Sequence, residues 1–140
     1  MDFATNVLSK REKLIHDKLY HYLREKYDPK INAVNKDFKG VRLESELKKV
    51  KEDELQETIQ LEKKLEACYK KVQSAIQKRE PVVTFTLWDN KKNETDELVF
   101  SVFSLTMEAK GYTIQIHKDV DIDRFLDYYE PYTSYNISLL

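Results

Sequence analysis

Glycine and proline are scarce: two glycines, Gly40 and Gly111, and three prolines stand in 140 residues. Loops that cradle phosphate, and the tight turns that expose a catalytic serine, depend on glycine's freedom at positive φ, so both lose their usual scaffold. The single cysteine, Cys68, cannot close an internal disulfide, and its place in a helical pattern makes it a small apolar residue. No long hydrophobic run occurs. The longest, Leu98 to Met107, is broken by Ser and Thr and is too short to cross a bilayer, and the opening MDFATNVLSKREK has no signal-peptide core. An intracellular protein with no membrane role is expected, so the triplets Asn93-Glu94-Thr95 and Asn136-Ile137-Ser138 are not read as glycosylation sites. HExxH, GxSxG, Walker, paired-cysteine and dinucleotide motifs are all missing, and neither catalysis nor a cofactor is expected.

What is abundant is charge. Charged residues make up 35% of the chain and hydrophobic ones 41%, and Lys+Arg 24 against Asp+Glu 25 leave a net charge of -1. The balance is uneven along the chain: residues 1–80 hold 19 basic and 15 acidic residues, and residues 81–140 hold 5 and 10. With no overall basic field, direct nucleic-acid binding is not expected. Basic pairs at 48/49, 63/64, 70/71 and 78/79 could form a stripe, but interleaved Glu44, Glu46, Glu52, Glu54, Glu62 and Glu66 cancel most of it.

Two regions follow from the hydrophobic period. In residues 1–80, Val7, Leu8, Leu14, Ile15, Leu19, Tyr22 and Leu23 recur at helical steps and predict a helix over about 3–27, stopped by Asp28-Pro29. Residues 28–40 read as a connection. A second helix is predicted over about 41–79, with a heptad seam of Leu43, Leu47, Val50, Leu61, Leu65, Cys68, Val72 and Ala75 that Glu54 and Glu57 interrupt. At about 1.5 Å per residue that helix is near 58 Å long and needs a partner helix. The partner is either the first helix folded back or another coiled-coil chain, in a hetero- or homodimer.

Residues 81–140 read as a small α+β head. Val83, Phe85 and Leu87 alternate with Val82, Thr84 and Trp88; LVFSVFSLTM reads as a central strand; and Ile114 and Ile116 alternate with Gln115 and His117. A three-stranded antiparallel meander is expected, followed by a short helix over about 122–129 capped by Asp121. The whole is α+β: an N-terminal helix, a long heptad helix, a meander and a short C-terminal helix.

Asp119, Asp121, Asp123, Asp127 and Glu130 fall at calcium-loop positions one, three, five, nine and twelve, but Arg124 stands where such a loop turns on glycine. An acidic helix N-terminus accounts for the same residues. Asp17, His21 and Glu25 share a helix face, while His16 and His117 stand apart from it; these read as solvated surface. The acidic, tyrosine-rich stretch Asp123, Asp127, Tyr128, Tyr129 and Tyr132 is the candidate docking face of the head, because tyrosine is enriched at interfaces.

The order of a long heptad helix, TFTLWDNKKNETDELVFSVFSL, EAKGYTIQIHKD and a short acidic helix resembles the RWD-like heads of kinetochore coiled-coil subunits, over about residues 61–140. It looks closest to the smaller subunits of the outer-kinetochore complex that tethers centromeres to microtubules. The resemblance implies a non-enzymatic nuclear subunit that dimerises in parallel through residues 43–76 and offers its head to a docking protein. A different class fits the same composition: a small acidic-faced inhibitor, encoded by a mobile element, that blocks a host nucleic-acid enzyme in the cytoplasm.

Overall fold

A computed structural model describes residues 9–90, 94–123 and 128–139. Three helices and three strands follow in the order α1 (Lys10–Asp37), α2 (Gly40–Gln77), β1 (Val82–Trp88), α3 (Glu94–Ala109), β2 (Thr113–Asp123) and β3 (Tyr128–Ser138). The α+β class and the two long N-terminal helices are as expected; several elements of the C-terminal part are not.

The first helix begins on a cap that the sequence spells out. Ser9 accepts a hydrogen bond from the Glu12 backbone N–H at 3.2 Å, the serine half of a Ser-x-x-Glu start. The Glu12 side chain then turns to Lys110, at 3.2 Å, in a nearly buried ion pair that fastens the start of α1 to the end of α3. α1 does not stop at Asp28-Pro29. It runs through Pro29 to Asp37, so the connection expected over residues 28–40 shrinks to Phe38 and Lys39. Tertiary packing overrides the proline: Tyr27, just before it, is buried against α2, which holds the helical path at the cost of one backbone hydrogen bond.

α2 ends at Gln77 on a left-handed residue. Arg79 sits at φ 57, and the Glu80 N–H reaches back to the Ala75 carbonyl at 3.0 Å. α3 ends the same way, with Gly111 at φ 100 and the Tyr112 N–H on the Met107 carbonyl at 3.1 Å. This is one terminating motif used twice, once with the glycine it prefers and once without.

The apolar run LVFSVFSLTM is helix α3, not the central strand expected of it. Its buried apolar residues Val99, Val102, Phe103 and Met107, with Ser104 and Thr106 buried beside them, recur at helical steps, and Glu94, Asp96 and Glu97 supply the acids that suit a first turn. The central strand is instead β3, the tail of the chain. The sheet order is β1-β3-β2, antiparallel throughout, so α3 carries the chain across from one edge to the other and β3 returns between them. The expected meander and the short C-terminal helix over 122–129 are both corrected: Ile122 and Asp123 end β2, Tyr128 and Tyr129 begin β3, and 124–127 lie outside the described residues. Period-two alternation in TSYNIS, masked by its acidic lead-in, is what the strand uses.

One face of the sheet carries Val83, Phe85, Leu87 and Ile137, all buried. α3 and the C-terminal half of α2 cover it, and α1 rests on those two helices from the far side. Phe103, at the centre, is fully buried and meets Phe85 at 5.0 Å and Tyr69 at 5.4 Å between ring centroids. The other sheet face is polar: Thr84 bonds Asn136 at 2.8 Å, and the register sets Gln115 beside that pair. No helix among the described residues is long and apolar enough to cross a membrane.

Because a proline inside a helix costs roughly 3 kcal/mol relative to alanine, Pro29→Ala should raise the melting temperature. A lowered one would mean that α1 breaks at Asp28 after all.

Candidate protein-interaction surfaces

The helical hairpin is closed by one polar node. Glu57, which interrupts the heptad on α2, takes two hydrogen bonds from the Lys26 ammonium at 2.8 Å and a short one from the Tyr27 hydroxyl. Burial pushes the Glu57 carboxyl up, but these two donors outweigh it and hold the group below its ordinary value. The Tyr27 phenol moves the opposite way: burial first, and then the Glu57 carboxylate it donates to, make loss of its proton harder. Farther along, Tyr20 bonds Glu62 at 2.8 Å and is pushed up to about 12, again by burial first. His16 then meets the Tyr69 hydroxyl at 2.8 Å, with burial lowering its pKa. The contacts Tyr27–Glu57, Tyr20–Glu62 and His16–Tyr69 descend α1 while ascending α2, so the two helices are antiparallel.

The seam residues divide accordingly. Leu61, Leu65, Cys68 and Val72 are buried inside the chain, under α1 and α3. Leu43, Leu47 and Val50, on the half of α2 that extends away from the sheet, are only half-buried. Beside them Leu55 is 56% exposed and Val41 84%. Leu47 and Leu55 stand eight residues apart on one flank, with Lys51 between them, and edge a depression of about 420 Å³ with Glu44, Lys48 and Glu52. A polar cleft of about 540 Å³ lies where α1, α2 and the start of α3 meet, with Tyr22, Lys26, Lys64 and Glu94 in its walls.

The head candidates are only partly described. Asp127 lies outside the described residues; Asp123, Tyr128 and Tyr129 belong to strands β2 and β3. Tyr132 is half-buried and tilts against Trp88 at 5.0 Å on the polar face of the sheet. Next to it, on the opposite face, a groove of about 490 Å³ runs past Ile116, Val120, Tyr135 and Lys118. Asp119 and Asp121 are exposed along β2, and Glu130 sits opposite Asp121 on β3, so four of the calcium-spaced carboxylates, Asp119, Asp121, Asp123 and Glu130, lie on two paired strands. His21 pairs with Glu25 at 2.8 Å in the open, and no group of three metal-binding side chains occurs among the described residues.

Burial pushes the Cys68 thiol up to about 11, so it is protonated at neutral pH and a poor nucleophile. The Glu57 node and the free strand edge of β1 were not legible as sites. The node leaves a trace in the sequence, an acid on a seam position with lysine and tyrosine on another helix, but only the fold places them together. Comparison with protein-family models, curated proteins and solved structures finds no match.

Because the folded Glu57 carboxyl is depressed below 4.5, it contributes stability in full above that pH and loses it as pH falls through the folded value. Glu57→Gln should therefore melt below the parent near about pH 7, and the gap should close toward about pH 3. A gap unchanged with pH would show that the node is not ionic.

Proposed function

We propose that the chain is a non-enzymatic protein–protein interaction subunit that receives a helix of another chain along the outer flank of its hairpin. The observation that carries this reading is the contrast along α2. Its C-terminal seam is spent on its own core, while Leu47 and Leu55 on the distal half border an open depression ringed by charges of both signs. A third helix packed there would bury the exposed Leu55 and the half-buried Leu47 and set its own charged residues against Lys48, Lys51, Glu44 and Glu52.

Several properties agree with a binding role. The buried thiol is inert, the ionisable network joins helix to helix with no reacting group at its centre, and the polar face of the sheet offers Thr, Ser and Asn side chains for docking. Assembly into a kinetochore-like complex, with a nuclear location, is the form of this role that the resemblance over residues 61–140 implies. The basic residue that an interrupted heptad calls for is present in cis for Glu57, as Lys26, so the partner is a helix added to a finished hairpin.

The test is purification of the tagged chain from its native cell, with the mass of the complex measured in solution. A helical chain at a fixed ratio, lost when Leu47 and Leu55 are both changed to Asp while the melting curve stays within a few degrees of the parent, supports the reading. A partner retained by that double variant, or recovery of the wild-type chain as a monomer alone, contradicts it. Leu65→Asp is the contrasting control: it buries an unpaired charge in the core at a cost of several kcal/mol and should unfold the chain itself.

A further inference from the structure

Among the described residues the sheet has two free edges, and they differ in kind. β2 carries Lys118, Asp119, Asp121 and Asp123, charges of the sort that keep an edge strand from pairing with another chain. β1 is VVTFTLW, without one charged residue.

The register shows which β1 peptide groups are spoken for. The Leu139 N–H donates to the Pro81 carbonyl at 2.9 Å, and the Asp89 N–H donates to the Pro131 carbonyl at 3.0 Å. Bonded residues alternate in an antiparallel pair, so Val83, Phe85 and Leu87 turn their peptide groups toward β3. Val82, Thr84, Thr86 and Trp88 turn theirs outward. One of these outward carbonyls, that of Thr84, already has a donor: the Lys71 ammonium, reaching over from α2 at 2.7 Å. The same ammonium lies 4.4 Å above the Phe85 ring and forms no ion pair with the described residues. Beside it opens a depression of about 360 Å³, floored by Ala67, Cys68, Phe85, Val99 and Phe100. Lys64 stands on its rim, tied to Asp96 at 2.8 Å.

We propose that the free edge of β1 is a strand-addition site for an extended segment of a partner protein that carries an apolar side chain flanked, on the same face, by carboxylates. The backbone of such a segment continues the sheet, which supplies affinity without sequence. Its side chains supply the selection. Alternate residues face the α2 side, so an apolar residue there enters the depression and its neighbour two positions away meets Lys71. That lysine holds the edge in the absence of a partner by donating to Thr84; once a strand N–H takes over the carbonyl, the ammonium is released to a carboxylate. A partner segment with lysine in the same place would meet like charge and an edge still occupied. The surface is separate from the helical flank, and the two readings stand or fall independently.

The probe is the synthetic peptide Ac-Thr-Glu-Thr-Leu-Thr-Glu-Thr-NH2, whose pattern reads the same in both directions, titrated into the isotope-labelled full chain and followed by amide NMR. Binding is expected to shift the Val82, Thr84 and Thr86 amides first and to slow their hydrogen exchange. The counterpart with lysine for glutamate should bind about tenfold more weakly or less. Lys71→Glu, at an exposed position, should reverse that order. Thr86→Pro removes one outward N–H from an edge strand that tolerates it, and should abolish peptide binding while the parent's melting curve is kept. Equal binding of both peptides, shifts confined to β2, no shift at millimolar peptide, or pairing of β1 with a second copy in the absence of peptide would each overturn the proposal.

Discussion

Closure of α1 onto α2 is the constraint on which the rest of this molecule depends. A 38-residue helix with a heptad seam cannot stay alone in water, because its apolar stripe needs a second helix to cover it. α1 answers it with Ile15, Leu19, Leu23 and Tyr27, all buried at helical steps. Once the hairpin is closed, its C-terminal end presents Leu65, Cys68, Tyr69 and Val72 as a platform on which α3 lies. The sheet is then built on that platform, with only four residues between the end of α2 at Gln77 and the start of β1 at Val82.

The polar contacts select this pairing among the ways two amphipathic helices can meet. Burying Glu57 between helices would be costly without donors, and Lys26 and Tyr27 provide them in one register only. The Glu12–Lys110 pair does the same at the other end, tying α1 to α3. These groups add less to stability than the leucines do, but a slip of α1 by one turn would leave the largely buried Glu12 and Glu57 carboxylates unsatisfied.

Much of the helical part was legible. The heptad marks α2 to within two residues at its C-terminal end, and the α1 periodicity is plain up to Tyr27. What local rules could not show is that a buried tyrosine would carry the helix through Pro29. The C-terminal part was less legible for a physical reason: LVFSVFSLTM is apolar enough to fit a buried strand or a buried helix, and β-branched and aromatic residues weight the choice toward strand. The three acids just before it, and the spacing Val99, Val102, Phe103, Thr106, were the better signals. Strand stands at both ends of the helix expected over about 122–129 for the opposite reason, since aspartates that suit a helix start also suit the exposed end of a strand. The distal leucines were visible as seam residues; that only part of the seam remains open could be learned only from the fold.

The central claim is that the hairpin closes within one chain. Lys26 and Glu57 are within 2.8 Å, near enough for a carbodiimide to join them directly as an amide. Heavy-nitrogen and ordinary protein would be mixed, unfolded, refolded together and cross-linked, and the peptide pair read by mass spectrometry. The account predicts that every Lys26–Glu57 cross-link joins peptides of one isotope. Cross-links joining heavy to ordinary peptides in statistical proportion would show that α1 packs on another chain's α2, and the fold described would be that of an exchanged dimer.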